Sequence, residues 1–326
     1  LLHSRFPFFR REQLEEEWMT RLGKDFALRP LGCVLVSTQV AEQSVDIDAD
    51  LLIPELAPTD MLLQRLGRLW RHPWPGRACP RPDGWIQMPS LSDEALRQSS
   101  ASQLKEALGK SARVYAPYVL LRSLEQWCAR ESITLPDDIR TILEATYAPP
   151  PDDEAPAWSE LRKQLEREKD KLAKLALSAT LVWTTPALGD EEAIRTRYTR
   201  YPTARVLLAR DITPLSRHSV RLELLDGAMV TANDRARNFE AAKAIYRCLV
   251  PLPSWAIAAG LRAAPAWLKL NVPQPAAVGI VGKDGEIRWP GGEENTGLSY
   301  DPDQGVIISR ERVPRVPREE DDESYD

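Results

Sequence analysis

Hydrophobic and polar residues along the first 60 positions follow a pattern that predicts one helix and two strands. Residues 9–22 carry apolar side chains at helical spacing, and Gly23 follows them as a stop signal. Residues 31–40 are a continuous β-branched run that ends in polar residues, as in a buried parallel strand whose end opens onto a site. Residues 49–55 form a second, shorter apolar segment, so the elements alternate as in an α/β layered fold.

A second helix is predicted to begin at Thr59 or Asp60 and to run to about Arg71, because a proline two residues later blocks its continuation. Further helices are predicted across residues 101–147. Residues 148–157, APPPDDEAPA, then interrupt every periodicity and are typical of a linker.

The pattern changes in the second half of the chain. Residues 158–178 predict a strongly charged helix with a narrow leucine stripe. Alternation in SVRLELLDG and the Asp284-Gly285 turn in AVGIVGKDGEIRW predict strands, and residues 234–250 predict a helix. These elements predict a small α+β domain, followed by an acidic, disordered tail, REEDDESYD.

Composition restricts the classes of function only weakly. The chain has 326 residues, 28% of them charged, and its formal net charge of −5 argues against nonspecific electrostatic binding of nucleic acid but allows a local basic groove. No apolar run approaches the roughly 18 residues of a membrane span, and no signal peptide is visible. The 4 cysteines lie too far apart for a metal-ligand spacing and predict reduced thiols, as in a cytoplasmic protein.

The stretch LLQRLGRLWRH, residues 62–72, carries the candidate chemistry. On the predicted helix Gln64, Arg68 and Arg71 occupy positions i, i+4 and i+7 and share one face, opposite the leucines. Gly67 removes a side chain beside Arg68, which would let a bulky group approach. Two guanidinium groups on one face suit a phosphate-sized ligand, because each offers a planar fork of donors. The alternative is a surface helix whose arginines pair with nearby acids.

Polar residues that follow the first predicted strand offer further ligands. Thr38 and Gln39 offer neutral donors to a backbone phosphate. Asp46 and Asp48 offer acceptors to sugar hydroxyls or, alternatively, ligands to a cation. The less specific interpretation of the same loop is a solvated acidic turn.

Taken in order, three stretches resemble motifs IV, V and VI of superfamily 2 helicases. LLHSRF at residues 1–6 resembles motif IV, TQVAEQSVDID at residues 38–48 resembles motif V, and QRLGRLWR at residues 64–71 fits the QxxGRxxR of motif VI. Together with VYAPYVLLRSLE and ITLPDDIRTILEATY, they resemble the helicase–nuclease of type I CRISPR interference over residues 1–148. Beyond the linker, PLSRHSVRLELL more weakly resembles that family's C-terminal accessory domain.

The resemblance implies a role for each candidate residue. Arg68 and Arg71 would be arginine fingers that reach ATP across the cleft between two RecA-like domains. Gln64 would help to hold the γ-phosphate beside Gly67. Asp46 would meet the nucleotide ribose or couple it to motif VI. The backbone of single-stranded DNA would be contacted by residues of motifs IV and V: Ser4, Arg5, Thr38 and Gln39.

Other parts that this family needs are missing from the sequence. The GKS at residues 109–111 has Leu104 where the phosphate loop GxxxxGK[ST] requires glycine, and no histidine is followed by an aspartate. ATP and Mg²⁺ would therefore be bound mainly by a missing first RecA-like domain, and the divalent metal of the nuclease domain would lie outside this chain. Because Leu1 opens an apolar stretch, the chain is expected to be a fragment, inactive as an ATPase and nuclease by itself.

The expected fold is α/β, with four consecutive parts. They are a second RecA-like domain with a helical extension at residues 1–148, a proline-rich linker and charged helix at 149–185, a small α+β accessory domain at 186–312, and an acidic tail at 313–326.

The expected function is that of the C-terminal helicase part of an ATP-dependent single-stranded-DNA translocase and nuclease that degrades invader DNA. Its expected partners are single-stranded DNA, the CRISPR RNA-guided effector complex (Cascade) and its own missing N-terminal domains, and no membrane is expected. Two alternatives stay open: a fragment of another superfamily 2 helicase, or a standalone module that binds a partner ATPase or effector complex.

Overall fold

The computed structural model of this chain shows the mixed α/β fold that the sequence predicts. It describes residues 1–42, 46–181, 203–272, 274–292 and 296–309. The helices are α1 (Phe8–Leu22), α2 (Thr59–Leu66), α3 (Asp93–Gln98), α4 (Ala101–Leu108), α5 (Pro117–Cys128), α6 (Ile139–Tyr147), α7 (Pro156–Leu181), α8 (Phe239–Arg247), α9 (Ala258–Arg262) and α10 (Ala266–Asn271). The strands are β1 (Leu51–Leu52), β2 (Asp83–Gly84), β3 (Thr203–Ser216), β4 (Ser219–Leu224), β5 (Met229–Asn233), β6 (Leu249–Pro253), β7 (Ala276–Val281), β8 (Ile287–Arg288), β9 (Leu298–Asp301) and β10 (Gly305–Ile308).

The chain divides into two compact units that alternate along the sequence. What we call the C-terminal unit consists of residues 1–17, 32–41 and 201–326. The central unit consists of residues 18–31 and 42–200. The domain boundaries expected from the sequence stay a prediction. The acidic tail and the whole segment between α7 and β3, residues 182–202, lie outside the described residues.

A six-stranded sheet organises the C-terminal unit. The strand order is β5-β4-β3-β7-β8, and β6 also pairs with β3. The first half of β3 lies between antiparallel β6 and parallel β7, and its second half pairs with antiparallel β4. Residues Val206, Leu207 and Leu208 are fully buried, as expected for a continuous apolar run in a strand with neighbours on both edges. The predicted turn at Asp284-Gly285 is confirmed, with Gly285 at φ +83° between β7 and β8.

The predicted helix over residues 234–250 is wrong at both ends. Asn238 caps α8, because its side chain accepts the N–H groups of Glu240 and Ala241. At the other end Leu249 and Val250 leave the helix and pair with β3 in strand β6. Their apolar side chains are buried in the sheet, a tertiary contact that the helical pattern alone does not reveal.

The helices predicted over residues 101–147 are confirmed as α4, α5 and α6 in the central unit. They pack with α2 around one core, and the fully buried residues at its centre include Leu62, Leu104, Leu120, Leu121 and Ile142. The buried hydroxyl of Thr59 lies 2.8 Å from that of Thr146 and accepts a hydrogen bond of 3.2 Å from Trp127 Nε1. The start of α2 is therefore anchored to α5 and α6. The charged helix expected after the linker is α7.

The expected buried strand at residues 31–40 does not form. Leu31, Val34 and Val36 are 101%, 81% and 61% exposed. In the described part of the chain, the segment pairs only through one parallel bridge, between Leu2 and Ser37. A β-branched run becomes a buried strand only when other strands lie alongside it, and this segment has no such ladder among the described residues.

The second predicted strand, within residues 49–55, forms as a short parallel ladder. Leu51 and Leu52 of β1 pair with β2, and single bridges join Ala49 to Leu69 and Glu55 to Gln87. This ladder joins the segment that follows the motif V stretch to the chain that follows α2. No helix in the described ranges combines the length and the hydrophobicity that a membrane span requires.

Candidate functional site

The candidate arginines lie just beyond a helix and not on it. Helix α2 ends at Leu66, and Gly67 is its C-cap residue, with its N–H bonded to Leu63 and Arg65 carbonyls. Gln64 is on the last turn and exposed. The prediction that Gln64, Arg68 and Arg71 share one helical face is therefore wrong.

Pairing with the segment after the motif V stretch ends the helix early. The Ala49 N–H donates to the Arg68 carbonyl at 2.8 Å, and the Trp70 N–H donates to the Ala49 carbonyl at 3.0 Å. Trp70 has φ +49°, a left-handed conformation that a helix of L-residues cannot continue through. These bridges replace the helical hydrogen bonds that the leucine pattern predicted.

The Asp46 carboxylate contacts three basic side chains. Its Oδ1 accepts a 2.6 Å hydrogen bond from Arg71 Nε and lies 3.1 Å from His72 Nε2. Lys24 Nζ lies 3.7 Å from the other carboxylate oxygen. Arg71 also donates to the Gly67 carbonyl, at 3.3 Å. The structure thus brings Asp46 of the motif V stretch onto Arg71 of the motif VI stretch.

The charges in this cluster shift the pKa values of Asp46 and Arg68. Burial works against ionisation of Asp46, but Arg71 and His72 outweigh it and lower the pKa of the Asp46 carboxyl. Burial and then the positive charge of Arg71 lower the pKa of Arg68, against the opposing effect of Asp46. An anion that approached the two arginines would relieve their mutual repulsion. The cluster is therefore chemically suited to a phosphate group.

Asp48 does not fit the alternatives considered for it from sequence. Its side chain is fully buried and is bonded by groups of its own chain, so it is not available to a sugar or to a bulk cation. Among the residues whose positions the structure gives, no group of three or more His, Cys, Asp or Glu side chains could hold a metal ion.

The candidate DNA residues lie together in the C-terminal unit. Leu2 bonds on both sides to the 36–38 segment, with its N–H on the Val36 carbonyl and its carbonyl on the Thr38 N–H, each at 3.0 Å. This pairing places the turn that carries Ser4 and Arg5 beside Thr38. Ser4, Arg5 and Thr38 are exposed, and Gln39 is half-buried in a short 3₁₀ turn.

The hairpin of β9 and β10 contacts the backbone of the Ser4-Arg5 turn. The N–H of Val306 in β10 donates to the Arg5 carbonyl at 2.8 Å. Gly305 has φ +70°, and a Cβ there would lie 2.7 Å from the same carbonyl oxygen. His3 is buried and stacks on Phe6, with ring centroids 4.6 Å apart. Burial and the Arg5 charge lower the pKa of His3, and its Nδ1 accepts the Arg5 N–H at 3.1 Å.

The candidate residues therefore form two groups in two units. Ser4, Arg5, Thr38 and Gln39 belong to the C-terminal unit, and Asp46, Gln64, Gly67, Arg68 and Arg71 belong to the central unit. Arg77, whose guanidinium pairs with Asp48 at 2.7 Å, was not among the residues predicted from the motifs. The signal that could have indicated it is the alternation of tryptophan and arginine in WRHPWPGR, residues 70–77.

Both groups of residues lie in a region that is similar to known proteins. A family model described as CRISPR-associated nuclease/helicase Cas3, C-terminal, matches residues 1–74, which include every residue of the two groups. The chain is 30% identical over 342 residues to the CRISPR-associated endonuclease/helicase Cas3 of Thermus thermophilus, and the alignment covers 94% of this chain and 34% of that protein. The chain thus spans about one third of the length of this relative.

Solved structures share the fold. The crystal structure of T. fusca Cas3-ADP matches with a TM-score of 0.59 at 23% identity, over 94% of this chain and 35% of that one. A chain of a CRISPR RNA-guided surveillance complex, pre-nicking, matches with a TM-score of 0.56 at 23% identity, over 94% of this chain and 37% of that one. The solved structures, at 23% identity, show the shared fold alone. The family model over residues 1–74 and the relative that aligns with 94% of this chain support its assignment to the C-terminal part of the CRISPR-associated nuclease/helicase Cas3 family.

Proposed function

We propose that this chain is the C-terminal helicase part of an ATP-dependent translocase of single-stranded DNA, coupled to a nuclease, that degrades invader DNA in type I CRISPR interference. Arg68 and Arg71 act as its arginine fingers. The observation that carries this proposal is the 2.6 Å hydrogen bond from Arg71 to Asp46, beside a partly buried Arg68 whose pKa is influenced by the charges of both residues. That contact forms although the helix expected to align the arginines ends before both of them.

The chemistry proposed for the arginines is stabilisation of charge during phosphoryl transfer. Guanidinium groups that reach the γ-phosphate neutralise the charge that develops on its oxygens. The phosphate loop and most Mg²⁺ ligands belong to a first RecA-like domain outside this sequence. Gln64 is on the last turn of α2, and the carbonyl of Gly67, the C-cap residue, accepts a hydrogen bond from Arg71. The T. fusca structure of similar fold contains ADP, which supports an adenine nucleotide as the ligand of this cluster.

The second RecA-like domain and its helical extension are proposed for residues 1–148, followed by the linker helix and the accessory domain. When the two RecA-like domains close on ATP, the Arg71 guanidinium leaves Asp46 and binds the γ-phosphate. After hydrolysis it returns to Asp46. Ser4, Arg5, Thr38 and Gln39 hold the DNA backbone during one half of that cycle. Exposed side chains and backbone groups that contact phosphates position DNA without reading its sequence.

Partners follow from the same family assignment. The neighbour that lies in an RNA-guided surveillance complex supports the effector complex (Cascade) as the partner that delivers DNA. The metal-dependent nuclease domain, which we place outside this chain, cuts the strand that the helicase passes to it.

The experiment is the Arg68→Ala variant of the complete protein. DNA-stimulated ATP hydrolysis should fall by at least about 1000-fold, the size of a typical arginine-finger effect, whereas ATP binding should change by less than about threefold. Arg81→Ala is the matched control, because Arg81 forms an exposed pair with Asp83 in the same unit. Hydrolysis near the wild-type rate in Arg68→Ala would reject the proposal.

A further inference from the structure

A buried cluster of charges lies directly behind the arginine segment. Asp48 is fully buried, and the side chain of Arg77 is only 4% exposed. The two form a bidentate pair, with Arg77 Nη1 2.8 Å from Asp48 Oδ1 and Nη2 2.7 Å from Oδ2. Arg77 Nη1 also donates to Asp50 at 3.0 Å. Burial works against the charged form of Arg77, but its hydrogen bonds to Asp48 and Asp50 prevail and raise its pKa.

The same carboxylate holds the backbone that carries Arg71. Asp48 Oδ1 accepts the Arg71 N–H at 3.1 Å, and Oδ2 accepts the His72 N–H at 3.3 Å. Arg77 closes the arrangement, because its Nη2 also donates to the His72 carbonyl. One carboxylate therefore receives two backbone and two guanidinium hydrogen bonds, which fix both its orientation and the path of the chain at residues 71–72.

Aromatic rings enclose the cluster. The Arg77 guanidinium carbon lies 5.2 Å from the ring centroid of Trp70 and 5.6 Å from that of Trp74. Arg29 lies 5.0 Å from the Trp74 centroid, and Phe26 stacks on Trp74 at 4.9 Å and 6°. Trp70 Nε1 donates to the Asp50 carbonyl at 3.2 Å, which helps to hold Trp70 in its left-handed conformation. The rings restrict the Arg77 guanidinium to its place against Asp48.

Fixing the backbone here leaves the functional end of Arg71 accessible. Its backbone N–H is held by Asp48, whereas its side chain is 39% exposed and reaches Asp46 at the surface. A buried ion pair adds little to the free energy of unfolding, because the desolvation of both charges offsets their attraction. The Asp48–Arg77 pair is therefore better explained by the geometry that it fixes.

We infer that Asp48 and Arg77 are positioning residues that fix the backbone of residues 70–72 and thereby aim the Arg71 guanidinium, without touching nucleotide or DNA themselves. This inference rests on the proposed function of Arg71. A catalytic group held too loosely loses rate before it loses binding, because the transition state demands stricter geometry than the ground state does.

The experiment is a double-mutant cycle on kcat of the DNA-stimulated ATPase, measured with the complete protein. Asp48→Asn should lower kcat by at least about tenfold, since a misplacement of about 1 Å can cost on the order of 100-fold, and should change the dissociation constant of a nonhydrolysable ATP analogue by less than about twofold. In an Arg71→Lys background the same change should lower kcat by less than about twofold, because the geometry it protects is already lost.

Asp83→Asn is the matched control. It makes the same chemical change in the same unit but breaks only an exposed pair with Arg81, outside the cluster that holds Arg71. Its kcat should stay within about twofold of the wild-type value. If Asp48→Asn does not fold, Arg77→Lys takes its place in the cycle, since lysine keeps the charge but loses the bidentate fork.

The outcomes separate this inference from the function it rests on. Wild-type kcat in Arg71→Ala overturns the proposed function and the inference together. A large loss in Arg71→Ala with wild-type kcat in Asp48→Asn overturns the inference alone. Equal losses from Asp48→Asn in the wild-type and Arg71→Lys backgrounds also overturn it, because they show general destabilisation and not the aiming of Arg71.

Discussion

Arg71 Nε lies 2.6 Å from Oδ1 of Asp46, so an arginine proposed to meet a phosphate is held by a carboxylate of its own chain. Both side chains are 39% exposed. An ion pair at that exposure contributes about 0.2–1 kcal/mol, less than a charge-assisted, bidentate contact with phosphate can supply. Asp46 therefore holds Arg71 ready without preventing its exchange onto a nucleotide.

Asp46→Asn should tighten the binding of a nonhydrolysable ATP analogue, by up to about fivefold, because Arg71 no longer has to leave a charged partner. Equilibrium titration of the complete protein with a fluorescent analogue measures this, and Asp83→Asn, which breaks the exposed pair with Arg81, is the control. Weaker binding in Asp46→Asn would show instead that Asp46 contacts the nucleotide, as the ribose alternative requires.

Arg5→Ala should weaken the binding of single-stranded DNA to a similar extent for every sequence. Loss of one phosphate contact should also reduce the slope of log K against log salt by about 0.7, the value for single strands. Affinity measured over a series of salt concentrations checks both. The control is Arg140→Ala, because Arg140 is exposed and pairs with Glu144 on a helix of the other unit. An unchanged salt slope in Arg5→Ala would remove Arg5 from the DNA surface.

Gly305→Ala should loosen the turn that carries Arg5. Alanine at φ +70° is strained, and its Cβ would lie 2.7 Å from the Arg5 carbonyl oxygen. We expect amide hydrogen exchange in residues 1–9 to accelerate about tenfold or more. Gly227→Ala is the matched control, since Gly227 has φ +85° but an open surrounding. Equal exchange in the two variants would show that the hairpin does not support the turn.

Local patterns predicted those elements whose hydrogen bonds stay within the element or between neighbours in sequence. Helices α5 and α6 and the turn at Gly285 belong to this class. The prediction over residues 31–40 was wrong, because a buried strand depends on partners that the pattern cannot supply. The early end of α2 has the same cause, since the bridge from Ala49 to Leu69 joins residues 20 positions apart.

The candidate site was predictable in its residue types but not in its arrangement. The motif spacing identified Asp46 and Arg71, and the structure brings them into contact. The motif spacing could not show that Asp48, two residues from Asp46, is buried and faces the backbone of Arg71. Two acids in one loop look alike in sequence, and only the burial of their side chains separates their roles.

The most direct test compares ADP with ADP–aluminium fluoride, which imitates the transferring phosphoryl group, on the complete protein with single-stranded DNA. Arginine fingers act on the transition state, so Arg68→Ala and Arg71→Ala should bind ADP within about twofold of wild type but bind ADP–aluminium fluoride at least about 100-fold more weakly. Unchanged affinity for ADP–aluminium fluoride in both variants would contradict the assignment of these arginines to ATP hydrolysis.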